Sequence, residues 1–268
     1  MTRAELALLI AIGSALVAVG SLAWQIVLYR LAGPRLAVHL IPAVLDSEQT
    51  LVRGPEQGFG PSVPDEIVGV LSEWTVDLAE IQVANIGRVP LSLSEISLDL
   101  GRQRRFGRQR YTVRGVPVVL HGGRKEETIR LEAGENASVL YDFWPLLKRV
   151  RDSGKKWISV RASVQPAGRQ RKRSSWFRRW VVEVESDSLR PDFTVTPHLR
   201  AYQALWRTVG SGPNRFFRIQ LAWHWVRKTL NDSTTVEDVA GALEQTLGPA
   251  QRVRADDVVT AFRANEPL

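Results

Sequence analysis

The chain has 268 residues, no cysteine, and a formal net charge of +8 from 36 Lys and Arg against 28 Asp and Glu. That length can bury one or two real cores, and the lack of cysteine excludes disulfide staples and thiolate metal sites. Thirty of the basic residues are arginine, and arginine excess alone says little about phosphate binding.

The first predicted element is the uncharged run Leu6–Tyr29, ended by Arg30. As a helix its 24 residues reach roughly 36 Å, against a hydrocarbon core of about 30 Å. A helix is the solution for a single spanning segment, because lipid offers the backbone no partners. Trp24 and Tyr29 fall where amphipathic rings favour the headgroup level. Ala7, Ala11, Ala15 and Ala18, with Ser14, form a small-residue ridge that suits helix–helix approach, or simply fill an apolar helix. Ser21-Leu22-Ala23 offers a signal-peptidase pattern. The weak Arg3/Glu5 start and the apolar residues beyond Ala23 favour a retained anchor instead. Arg30, Arg35 and Arg53 follow the run while Arg3 precedes it, so the charge bias predicts a cytoplasmic body.

Leu36–Leu45 alternates like a strand, with Pro42 predicting an edge or a bulge. Glu48–Asp65 reads as a Gly/Pro-rich loop. Strands are predicted over Trp74–Ile86 and Leu91–Leu100, the latter changing phase at Ser94-Glu95 as at a bulge. Tyr111–Leu120, Thr128–Leu131 and Ala137–Phe143 continue the series, and Pro145–Arg151 suggests a short helix. Trp157–Val164 and Phe177–Val184 form a last hairpin around Gln165–Ser175. Short strands with turns every 8–12 residues predict an antiparallel β-sandwich.

The order of these motifs carries a resemblance: apolar anchor, Tyr29-Arg30, Gly33-Pro34-Arg35, Val83-Ala-Asn-Ile-Gly-Arg-Val-Pro90, Leu131-Glu-Ala-Gly-Glu135 and a final basic hairpin. It resembles uncharacterised bacterial single-pass membrane proteins with an immunoglobulin-like sandwich, over roughly residues 5–185. The resemblance implies a fold, and no catalytic residues.

Leu189–Pro197 reads as a linker, and helices are predicted over His198–Val209, Thr235–Leu247 and Asp256–Ala264. Thr234–Glu237 offers a capping box. Residues 214–230 fit both periods: Phe216, Ile219, Trp223, Val226 and Leu230 as a helical stripe, Phe217, Ile219, Leu221, Trp223 and Trp225 as a strand. Length favours the helix. The predicted organisation is mainly β: a transmembrane anchor at 1–35, an immunoglobulin-like β-sandwich at 36–186, and a linker and helical extension at 187–268.

Catalytic patterns are weak. His39, His121, His198 and His224 are scattered and none stands at metal-ligand spacing. Gly154-Lys155 lacks the rest of a P-loop, Ser211 lacks G-x-S-x-G spacing, and no cofactor is expected. An enzyme would need a site built from unremarkable residues. Charge is segregated instead. Residues 148–180 hold twelve Arg or Lys and one Asp, and residues 101–130 nine and two Glu, while residues 42–99 and 231–268 are acidic. Two basic patches stand out, both expected at hairpin tips: Arg102, Arg104, Arg105, Arg108 and Arg110, then Arg169, Arg171, Lys172 and Arg173 with Arg178 and Arg179. Near a bilayer their partner would be anionic lipid headgroups, with Trp176 and Phe177 dipping into the interface. Arg with aromatics also suits nucleic acid, the lesser alternative. Trp223 and Trp225 are expected to form a partner surface or a seam between sub-domains. The sequence thus predicts a non-enzymatic, membrane-anchored scaffold or sensor that binds a protein at the cytoplasmic surface. An exported cell-envelope assembly module is the competing class.

Overall fold

The computed structural model describes residues 3–33, 35–56, 61, 63, 69, 71–102, 110–113, 117–118, 129–142, 144, 156–183, 188, 193–209 and 214–264. Its first element is one helix, α1 (Arg3–Ala32). The window Ile10–Val27 has a mean hydropathy of 1.9, and none of it is buried against the rest of the chain. By length and composition α1 is able to cross a membrane.

Two antiparallel sheets follow. In the first, β1 (Leu36–Asp46) and β3 (Thr75–Asn85) pair along their whole length, from Leu36↔Asn85 to Asp46↔Thr75. β2 (Leu51–Arg53), inside the stretch expected to be all loop, pairs only with Ala43–Leu45. Pro42 sits where that ladder stops: its carbonyl accepts from Gly54 N at 2.8 Å, and its missing N–H faces an unpaired edge. β8 (Asn136–Tyr141) lies on the other side of β3, and β6 (Pro117–Val118) beyond it.

The second sheet centres on β4 (Leu91–Arg102) and β9 (Trp157–Pro166). β5 (Arg110–Val113) and β7 (Ile129–Leu131) pair with β4. β10 (Lys172–Arg173) and β11 (Trp180–Glu183) pair with β9. The register shifts between Leu93 and Glu95, at the expected phase change. The final strand begins at Trp180 rather than Phe177, because Trp176–Arg178 closes a single 3-10 turn. The expected strand Tyr111–Leu120 is divided: β5 joins the second sheet and β6 the first.

Alternation decides what each face buries. Leu40, Ile81 and Val83 of the first sheet meet Leu98, Val160, Ala162 and Trp180 of the second in one core. Tyr141 ties the layers, its hydroxyl donating to the Ile96 carbonyl at 2.8 Å. The opposite face of the first sheet offers Ala43, Leu45, Val76 and Leu78 to the C-terminal helices. The C-terminal region therefore shares a core with the sheet, and the molecule is built in three layers: helices, sheet, sheet.

Those helices are α2 (Pro197–Thr208), α3 (Arg215–Thr229), α4 (Val236–Leu247) and α5 (Arg252–Arg263). Thr196 caps α2, its hydroxyl accepting from Leu199 N at 3.2 Å, with proline in the first turn. The α4 box uses Thr235 and Asp238, one residue later than the sequence suggested. Both threonines fit the pattern, but the side chain of Thr234 is spent on the amide of Asn231, at 2.7 Å. Hydrogen bonds from Thr235 hold the Asp238 carboxyl below its usual range. α5 starts four residues earlier than expected, at Arg252. The short helix expected at Pro145–Arg151 and residues 189–192 of the linker lie outside the described residues.

Candidate functional site

α3 resolves the ambiguous stretch as a helix with two apolar faces. One face, with Phe216, Ile219, Ala222, Trp223 and Val226, is buried. Trp223 meets Trp74 edge-on at 4.8 Å between centroids and Tyr202 at 5.4 Å. Burial, with Asp46 nearby, pushes the Tyr202 hydroxyl well above the ordinary phenol range. Of the two places expected for Trp223, its burial fits the seam, here between helices and sheet, and not a partner surface. Burying a ring of this size contributes strongly to the core that helices and sheet share.

The other face is uncovered. Phe217, Leu221 and Trp225 are 65%, 39% and 42% exposed. Their i, i+4, i+8 spacing makes a stripe about 12 Å long. Basic and polar groups rim it. Lys228 Nζ stands 5.0 Å over the Trp225 ring and donates to His224 Nε2 at 2.8 Å, and His224 packs edge-on to Trp225. Arg227 is exposed and Arg218 half-buried. Arg215 anchors the start of α3: it donates to the carbonyls of Trp206 (2.7 Å) and Val209 (3.2 Å) and stacks on the Trp206 ring at 4.1 Å. A cation at the C-terminal carbonyls of α2 suits that helix end, although burial lowers the guanidinium's pKa. The doubled Phe216-Phe217 was the signal for this stripe, since adjacent helical residues point about 100° apart.

The basic residues do not form one surface. β4 runs from Leu91, beside the chain's exit from α1, to Arg102, roughly 35 Å away at 3.3 Å per residue. Arg102 and Arg110 pair there across β4 and β5. The two described strand ends of that patch, expected to lie on lipid, therefore stand at the end of the sheet opposite the start of β4. Arg104, Arg105 and Arg108 lie outside the described residues.

The second patch splits. Residues 172–173 are strand, not loop tip, and beyond the β4 bulge Glu95, Ser97 and Asp99 share a face with the odd-numbered side chains of β9 and β10. On it Arg171 pairs with Glu95 at 2.8 Å and Arg173 with the buried Asp99. Arg161 donates to the Ser174 carbonyl. Sequence charge counts miss this because the acidic partners lie more than seventy residues away. Arg178 pairs with Glu56, which also meets His39 Nδ1 at 2.8 Å. Arg179 covers the Trp176 ring at 4.2 Å. Trp176 and Phe177 are exposed, but their turn follows Ser174, whose amide bonds to Ala162. That lies four residues, or about 13 Å, along β9 from Pro166 at the α1 end. Arg169 and Lys172 are left exposed at that end, beside Arg35. Trp24 is 62% exposed on α1; the side chain of Tyr29 lies outside the described residues.

Arg173→Ser is expected to cost about 2 kcal/mol, because it takes the guanidinium away from the buried Asp99 carboxylate; the figure is discounted for the partial exposure of Arg173. Lys172→Ser, at an exposed side chain with no ion pair among the described residues, is expected to cost less than about 0.5 kcal/mol. Urea denaturation of the two variants checks the contrast.

No protein-family model and no curated protein matches the chain. Among solved structures it is similar to a chain in the crystal structure of the CsuC–CsuE chaperone–tip adhesion subunit pre-assembly complex, from archaic chaperone-usher Csu pili of Acinetobacter baumannii. The identity is 13%, the TM-score 0.22, and the match covers 39% of this chain. It spans about half, 47%, of that chain.

Proposed function

We propose that this protein is a non-enzymatic scaffold or sensor, held to the cytoplasmic membrane by α1. Its two sheets form an immunoglobulin-like sandwich, and its helical layer binds a protein partner at the membrane surface. The observation that carries the reading is the uncovered Phe217–Leu221–Trp225 stripe. A contiguous apolar face on an otherwise amphipathic helix marks an interaction site, and i, i+4, i+8 anchors suit a helix laid against an apolar groove. The cations around it favour a partner with an acidic rim, which would steer encounter more than it raises affinity. The anchor rests on the length and apolarity of α1, and the cytoplasmic side on the arginines that follow it.

A photo-crosslinking residue in place of Phe217, in the full chain in its own membranes, is expected to give one discrete protein adduct. Leu221→Asp should abolish it, and the same probe at the exposed Val253 of α5 should give none. Equal adducts at both positions, or adducts indifferent to Leu221→Asp, would overturn the partner surface. Protease added outside spheroplasts should leave a C-terminal tag intact; cleavage would overturn the orientation and make an exported envelope module the reading to pursue.

A further inference from the structure

Arg35 follows α1 by three residues, so its Cα lies within about 11 Å of that of Ala32. At that end of the sheets, between the start of β1, the β3–β4 turn and the β9–β10 turn, opens a groove of about 590 Å³. This is the size of a small-molecule site, typically about 300–1,000 Å³. Leu36, Ile86 and Leu91 give it apolar walls, and Arg35, Arg169 and Lys172 contribute three cations. All three are exposed, and none takes part in an ion pair among the described residues. Among the described residues, the carboxylates of the adjoining strands and turn are engaged elsewhere. Glu132 pairs with Arg130 at 2.9 Å, Glu135 accepts from the Glu132 amide at 2.8 Å, and Glu95 holds Arg171. Three like charges lining one groove repel one another and favour an anion between them. Ile86 and Val89, on the neighbouring turn, are 63% and 45% exposed.

We propose that this groove holds the phosphate of an anionic glycerophospholipid from the bilayer that α1 enters. Arg35, Arg169 and Lys172 meet the phosphate. Leu36, Ile86 and Leu91 meet the glycerol and the first methylenes. The inference rests on the anchoring reading above and deepens it. The headgroup layer is about 5–8 Å thick on each side, and the short link from α1 holds Arg35 close to that depth. The apolar walls and the exposed Ile86 and Val89 favour a lipid over a soluble phosphate, which has nothing to offer them.

The test uses the full chain in detergent micelles seeded with phosphatidylglycerol or phosphatidylcholine, with retained lipid counted by native mass spectrometry. Each close cation is worth about fivefold in affinity for anionic lipid, so at least a tenfold preference for phosphatidylglycerol is expected. The triple variant Arg35→Gln, Arg169→Gln, Lys172→Gln should lose it while melting as the parent does. The charge-matched variant Arg218→Gln, Arg227→Gln, Lys228→Gln on α3 should keep it. Equal preference in both triple variants would overturn the groove as the site. Displacement of phosphatidylglycerol by millimolar glycerol 3-phosphate would reassign the groove to a soluble phosphate and overturn the lipid. Alkaline carbonate extraction of native membranes separates the two readings. Release of the chain would overturn the anchor and the lipid with it, whereas retention without a phosphatidylglycerol preference overturns the groove alone.

Discussion

Trp223→Ala is expected to destabilise the protein by about 4 kcal/mol, the usual cost of removing a buried indole. Trp223 is 3% exposed and is wedged between Trp74 and Tyr202. Its loss opens a cavity where the helical layer meets the first sheet, and the neighbouring rings are too rigid to refill it. For a body of this size that corresponds to a fall of roughly 8–16 °C in Tm. Trp225→Ala, two residues away on the outer face, is expected to change stability by less than about 0.5 kcal/mol while weakening partner capture. Thermal unfolding of the two variants, followed by circular dichroism, separates a core tryptophan from a surface one. Similar Tm shifts in both would contradict the two-faced reading of α3.

Asn85→Ala is expected to cost about 3 kcal/mol. Asn85 is fully buried, and its Nδ2 amide donates to the carbonyls of Val89 (3.0 Å), Leu131 (3.3 Å) and Glu132 (3.1 Å). Its Oδ1 accepts from Gly87 N at 3.1 Å. Its own backbone closes the contact: Asn85 N donates to the Glu135 carbonyl, and Gly134 N to the Asn85 carbonyl. Alanine removes the donor and the acceptor that join those groups, the Leu131 carbonyl and Gly87 N–H among them buried. Asn85→Asp is the sharper probe. It keeps an acceptor for Gly87 but turns a second oxygen toward three carbonyls, so it should be no more stable than alanine. A melting point restored by Asp would show that shape, rather than the donated hydrogen bonds, matters at this position.

That contact shows how much was legible in advance. The sequence exposes Asn85-Ile86-Gly87 and Glu132-Ala133-Gly134-Glu135 as two turns, because each carries its own local chemistry: an Asn side chain that bonds two residues on, and a glycine at φ +81°. What it cannot expose is that the two turns are halves of one knot, since that depends on which strands become neighbours. Strand existence was readable for the same local reason, and so was the bulge near Glu95, where period two slips. Assignment of strands to sheets was not, as β5 and β6 demonstrate: nothing between Arg110 and Val118 announces a change of layer.

The basic residues fail for a related reason. Arg171 and Arg173 look like free charge in a run of cations, but β-pairing delivers Glu95 and Asp99 to them from a distant strand. Arg35, noted only as a charge flanking the apolar run, becomes part of a groove because β1, β4 and β9 all begin or end beside it. On α3 the conflict between periods was itself the information. Phe217, Leu221 and Trp225 read as strand-like only because they interleave with Ile219 and Trp223 of the buried face.

The length of β4 has an electrostatic consequence. Its two ends are separated by roughly 35 Å, more than four Debye lengths at physiological ionic strength, where one length is about 8 Å. Screening attenuates a field originating at the Arg35 end to about one per cent by the Arg102–Arg110 end. The net charge of +8 therefore does not act as one quantity. Its arginines at the two ends answer to different surroundings, and added salt can release what one end holds without registering at the other.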